Sequence, residues 1–193
     1  MIRHAQESGV QILAYCFMRN HVHLVLQPTT ESGLSWMMMR LNSEYGQAMQ
    51  FRMKVSGHFW QARFKASVMD EAYLWTVLRY VELNPVRAGA VTSADQWPWS
   101  SAGAHLGTTD WPEWLEREPF VSRYTAGEWR TALLTGVSQS TKAQLWRALR
   151  QNRPLAAQDL IQKWEAESGL HLVPRKRGRP SKKESGQLAV AAR

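Results

Sequence analysis

A single cysteine, Cys16, stands in 193 residues. It excludes an internal disulfide and any zinc knuckle built on paired thiolates. Long apolar runs are missing too: no stretch approaches the ~18–20 residues of a membrane-spanning helix. The start, Met1-Ile2-Arg3-His4-Ala5-Gln6-Glu7, has no apolar signal-peptide core, so the expected compartment is the cytoplasm. Acidic groups are scarce at one end only. From Arg175 onward seven Lys/Arg accompany one Glu, a net +6, whereas residues 1–174 hold 17 basic and 15 acidic side chains, a net +2. The positive excess is a tail, not a generally basic surface. Apolar material is plentiful: 44% of residues are hydrophobic, and seven of the ten tryptophans follow residue 95. That supports a real core in which large aromatics pack, and the length fits one domain plus an appendage.

Along the chain, residues 1–8 read as the end of a helix. Val10–Phe17 reads as a strand, Met18-Arg19-Asn20 as a turn, and residues 21–27 as a returning strand ended by Pro28. Leu34, Met37, Met38, Leu41, Tyr45 and Met49 recur at helical spacing, which predicts a helix over 33–53 with a core-facing methionine stripe. Residues 58–68 read as one or two strands. Asp70 is placed to cap a helix whose apolar stripe is Leu74, Val77, Leu78 and Val81, and Pro85 is placed to stop it. Residues 108–125 read as a linker, 126–172 as a small helical region (pieces near 126–135, 141–151 and 156–168), and 173–193 as a basic disordered tail.

The chemistry begins at His21 and His23. On a strand, residues two apart share a face, so both imidazoles project the same way while Val22, Leu24 and Leu26 face the other. Two neutral imidazoles on a rigid strand form half of a divalent-metal site. The helix from Glu71 carries Tyr80 and Asn84 four residues apart, a spacing that stacks side chains on one helix face. A phenol is protonated at neutral pH, and a divalent ion polarising a phosphate offsets that weakness in a nucleophile. Tyr73 is a rival nucleophile, Glu82 a rival ligand, and a helix-terminal cap is an equal reading of Asn84. A histidine-triad hydrolase needs a third alternating histidine, and Val25 occupies that place.

These residues carry a resemblance. His21-Val22-His23 resembles the histidine–hydrophobic–histidine (HUH) motif of single-tyrosine transposases. Arg79-Tyr80-Val81-Glu82-Leu83-Asn84-Pro85-Val86-Arg87-Ala88-Gly89 resembles their catalytic helix and its exit. Trp60-Gln61-Ala62-Arg63-Phe64 and Trp97-Pro98-Trp99-Ser100-Ser101 resemble one branch, the REP-associated tyrosine transposases (RAYTs). The resemblance spans about residues 10–107, and residues 1–107 would be the transposase domain. It implies an α+β fold, an antiparallel sheet with packed helices in the ferredoxin-like HUH arrangement, and cutting and rejoining of single-stranded DNA beside REP-like hairpins. His21, His23 and Asn84 would be metal ligands and Tyr80 the nucleophile, forming a 5′-phosphotyrosine and freeing a 3′-hydroxyl. Imidazole alone suits zinc or manganese; the resemblance points to Mg²⁺ or Mn²⁺. Relatives act as monomers or as dimers with composite sites, and a chain of this kind works on the DNA of the nucleoid. Relatives also carry a first strand and most of a helix before the equivalent of residue 8, so an open sheet edge is expected here.

For DNA contacts, residues 40–65 hold Arg40, Arg52, Lys54, Arg63 and Lys65 against one acid, Glu44, with Phe51, Phe59, Trp60 and Phe64 between them. Such a mixture suits single-stranded DNA, and Arg63 and Lys65 are singled out. Arg87, just past the catalytic helix, is placed to hold a phosphate. Arg175-Lys176-Arg177-Gly178-Arg179-Pro180 resembles an AT-hook, with Arg177 and Arg179 as minor-groove contacts; nonspecific phosphate attraction is the plainer reading. A non-cutting, domesticated hairpin-binding protein is the competing function.

Overall fold

The first helix turns into the first strand at Gly9, whose φ of 64° lies in the left-handed region. A side chain there would also collide, since an added Cβ would sit 2.7 Å from Thr29 Oγ1. In the computed structural model, which describes residues 1–173, that turn joins α1 (Ile2–Ser8) to β1 (Val10–Phe17). β1 pairs antiparallel with β2 (Val22–Pro28), with Val10 opposite Pro28, Phe17 opposite Val22, and an irregularity between Ile12 and Ala14. The β-branched and aromatic residues of the hairpin favour this pairing.

Two strands alone are marginal in water, and other backbone covers the far edge of β1. Phe17 N donates to Trp99 O at 2.8 Å, Ser101 N to Tyr15 O at 3.0 Å, and Glu116 N to Ile12 O at 2.8 Å. The edge expected to be open is therefore occupied along Ile12–Phe17 by two later segments of the same chain.

Two long helices pack with the hairpin: α2 (Gly33–Met53) and α3 (Glu71–Glu82). Asp70 caps α3 by accepting from Tyr73 N at 3.0 Å. Shorter elements follow: α4 (Asn84–Arg87), a 3-10 turn over Ala94–Gln96, α5 (Ala102–His105), α6 (Phe120–Arg123), α7 (Ala126–Thr135), α8 (Gln139–Gln151) and α9 (Gln158–Ser168). The fold is α+β, with an antiparallel sheet and packed helices. Among the described residues, no helix is long and apolar enough to cross a membrane.

The main core joins Leu13, Ala14, Cys16 and Val25 of the hairpin to Leu78, Tyr80 and Val81 of α3 and to Trp129, Leu133, Leu145 and Ala148 of α7 and α8. A smaller cluster gathers Ala5, Val10, Ile12, Met37 and Leu115. The methionine stripe of α2 is thus half core: Met37 and Met38 are buried, whereas Tyr45 farther along is 48% exposed.

Three expectations need correction. Residues 58–68 form no strand; Phe59 and Trp60 instead fold onto α2, where Trp60 Nε1 donates to Asn42 O at 2.8 Å. A strand needs a ladder partner, and contacts with the helix claim these aromatics first. Residues 108–125 are not a bare linker, because Leu115 and Phe120 are buried core residues. The helices of 126–151 are not an appendage, since α7 supplies the fully buried Trp129 to the core, and the compact unit runs from Met1 to Ala156. The second unit begins at Ala157 and holds α9, whose Glu165 carboxylate accepts from Leu172 N at 2.7 Å. Arg177 and Arg179 lie outside the described residues.

Trp129 Nε1 donates to the buried Glu82 Oε2 at 2.8 Å. Trp129→Phe keeps most of the packing and removes that donor. It is expected to lower unfolding free energy by about 1.5–3 kcal/mol, the range for a bond to a charged group, as measured by urea denaturation.

Candidate functional site

The tight turn between the strands positions the first histidine. Met18 N donates to His21 O at 2.9 Å, which brings His21 to the mouth of β2. Its Nδ1 lies 2.8 Å from Asn20 Oδ1. An amide oxygen only accepts, so Nδ1 carries the hydrogen and the Nε2 lone pair is left free. His23 follows on the same face, with ring centroids 4.8 Å apart. His21 is exposed and His23 half-buried. His23 Nε2 is buried and has no hydrogen-bond partner.

Burial, then the neighbouring His21 and Arg87, push the His23 imidazole down to about 4. It is therefore neutral at pH 7, the form that binds a metal. The Tyr80 ring stands edge-on to it at 6.0 Å, and the Arg87 guanidinium lies 4.4 Å over the Tyr80 ring. Tyr80 itself is only 4% exposed.

Asn84 does not continue the helix of Tyr80. α3 ends at Glu82, and Asn84 opens α4 with Pro85 as its second residue, because a proline breaks the hydrogen-bond ladder. The Asn84 amide turns back instead: Nδ2 donates to Tyr80 O at 2.9 Å and to Val81 O at 3.1 Å. Its Oδ1 accepts from Arg87 Nη1 at 3.4 Å. Asn84 thus binds two carbonyls at the end of α3 and keeps one oxygen facing Arg87.

The donor set fits a divalent ion in part. Two neutral imidazoles, one with an orphaned buried nitrogen, are suitable ligands. Among the described residues no third His, Cys, Asp or Glu joins them. Asn84 Oδ1, the third donor expected from the sequence, accepts from Arg87.

The rivals lie elsewhere. Glu82 is fully buried, accepting from Ser101 Oγ at 2.6 Å and from Trp129, with His105 Nδ1 at 2.5 Å. The Tyr73 hydroxyl accepts from Gln144 Nε2 at 2.6 Å, toward α8. Arg63 and Lys65 are exposed on the 58–68 segment and are not part of this cluster. Sequence reasoning missed Asn20, and it missed the Ser101, His105 and Trp129 partners of Glu82. A carboxylate inside the apolar stripe of Leu78 and Val81 was the one available signal.

By NMR, the His23 ring is expected to titrate near 4, and His21→Ala to move that value upward by removing a neighbouring cation. The folded value lies below the unfolded one, ~6.5, so the unfolded chain binds the extra proton first. His23 therefore contributes stability above pH ~6.5 that is progressively lost as the pH falls toward 4.

Residues 1–84 match the family model described as "Transposase IS200 like". No curated protein and no solved structure matches the chain. The matched segment contains His21, His23, Tyr80 and Asn84 and stops just before Pro85. Over residues 1–84, from α1 to the opening of α4, this chain is similar to IS200-like transposases.

Proposed function

We propose that this chain is a metal-dependent, single-tyrosine DNA endonuclease and strand transferase of the RAYT type, acting on single-stranded DNA beside REP-like hairpins. One observation supports it above the rest: His21, His23, Tyr80 and Arg87 meet in one cluster in which a buried imidazole nitrogen has no partner.

His21 and His23 would hold Mg²⁺ or Mn²⁺, with Asn84 Oδ1 as the third protein donor. Such an ion supplies Lewis-acid polarisation of the scissile phosphate. Arg87, which lies over the Tyr80 ring, would take a phosphate oxygen through a charge-assisted bond. Tyr80 Oη then forms the new bond to phosphorus and its proton passes to solvent. The bond from phosphorus to the 3′ oxygen breaks, and that oxygen takes up a proton to leave as a 3′-hydroxyl. Strand transfer reverses this with a second 3′-hydroxyl, restoring the phenol. Arg63 and Lys65, with Arg177 and Arg179 of the tail, would contact DNA backbone outside the reacting centre. A monomer or a homodimer serves this reading equally.

The burial of Tyr80 favours a second reading: a hairpin-binding protein that does not cut. A phosphate reaches a side chain that is 4% exposed only if the mouth of the site opens.

The test is incubation with a hairpin oligonucleotide carrying a single-stranded flank, with Mg²⁺ or Mn²⁺, followed by denaturing electrophoresis. A covalent protein–DNA adduct is expected, absent in EDTA and in Tyr80→Phe, and reduced at least ~100-fold in His23→Ala. An adduct that persists in Tyr80→Phe overturns the nucleophile. Tight hairpin binding with no adduct under any metal supports the second reading.

A further inference from the structure

We propose that Tyr45 and Trp60, in a stretch of chain that also carries the exposed Arg52, Lys54, Arg63 and Lys65, form a stacking platform for single-stranded polynucleotide that needs neither the metal nor the reacting tyrosine. It extends the proposed function through residues outside the His21/His23/Tyr80 cluster, and it does not depend on cleavage.

The geometry begins at Gly46. A glycine inside a helix costs about 1 kcal/mol relative to alanine, yet Gly46 lies well within the 21-residue α2. A Cβ there would stand 3.3 Å from Trp60 Nε1 and 3.7 Å from Phe59 Cβ. The glycine lets the indole lie against the helix, and the Nε1–H bond to Asn42 O fixes it. Phe59 buttresses it edge-on, with centroids 5.0 Å apart. Tyr45 lies beside it at 5.7 Å, inclined by 36°.

The indole is seated firmly and yet is not covered. Here Trp60 remains 38% exposed and Tyr45 48%. With its only polar hydrogen already satisfied, Trp60 offers its partner an aromatic surface and no donor. The cost of ordering these rings is met within the fold, which is what a receptor for flat apolar groups requires.

The surrounding charge specifies the rest of the partner. No Asp or Glu occurs between Tyr45 and Met69, while Arg52, Lys54, Arg63 and Lys65 do. All four are exposed, and none pairs with a carboxylate among the described residues. The nearest acid in sequence, Glu44, is engaged by Arg3 at 2.7 Å and His4 at 3.0 Å. A partner that is a polyanion and also exposes flat ring faces is a single-stranded nucleic acid. A duplex offers the phosphates but hides its base faces.

The probe is a fluorescein-labelled oligothymidine of about 20 nucleotides, which forms no hairpin. Anisotropy is read in EDTA with the Tyr80→Phe protein, so that loss of cleavage leaves the result untouched. Tighter binding than to a duplex of equal length is expected. Tyr45→Ala and Trp60→Ala should each weaken it about tenfold, and Trp60→Phe should recover most of the loss. Arg63→Gln with Lys65→Gln should flatten the salt dependence by about 0.7 per cation removed while keeping the preference for single strands. Tyr45→Ala guards against a folding defect in Trp60→Ala, because the phenol is half-exposed on the helix surface. Unchanged affinity in both ring variants overturns the proposal. So does equal binding to duplex or to phosphatidylserine vesicles.

Discussion

The buried carboxylate of Glu82 is the constraint on which the site depends. An unpaired carboxylate in the interior costs several kcal/mol, and this one is fully buried. Ser101, His105 and Trp129 meet it with three polar hydrogens, drawn from the loop before α5, from α5 itself and from α7. Phe120 stacks on the His105 ring at 4.1 Å and closes the pocket from the side. Glu82 and Tyr80 are two apart on a helix, so they point in roughly opposite directions. One end of α3 is thereby clamped between the later helices on one side and the histidine hairpin on the other. The direction of the Tyr80 ring toward His23 is a consequence of that clamp.

This bears on how much of the chain the site needs. The segment similar to IS200-like transposases stops at Asn84. The groups that hydrogen-bond Glu82, and those that cover the far edge of β1, all come after it. Residues 97–133 are thus part of the support of the site, not an addition to it.

The two histidines are not equivalent. His21 sits in solvent with its ring turned by Asn20, whereas His23 is recessed and kept neutral first by burial and then by its neighbours, Arg87 among them. Arg87 ties the remaining parts together, reaching both the Tyr80 ring and Asn84 Oδ1. Its charge opposes a cation held on the histidines unless an anion lies between them.

The local rules in the sequence were sufficient for much of this. Alternation fixed His21 and His23 on one face, helical spacing fixed α2 and α3, and Asp70 and Pro85 marked the ends of α3 because capping and ring sterics act within a few residues. Periodicity could not say where the 58–68 segment would lie, since strand character is realised only against a partner strand, and α2 took the aromatics instead. Nor could it separate linker from core at Leu115, which pairs with Ile12 of β1, and at Phe120, which packs among Trp75, His105 and Trp129. Asn84 showed both of its readings: the spacing put it near Tyr80, and the break at Pro85 turned its amide into a cap. The residue types able to carry the chemistry were thus set by the sequence itself. Which of them meet, and which carboxylate is spent holding the helix in place, was decided by tertiary packing, because burial and hydrogen-bond pairing are properties of the whole fold.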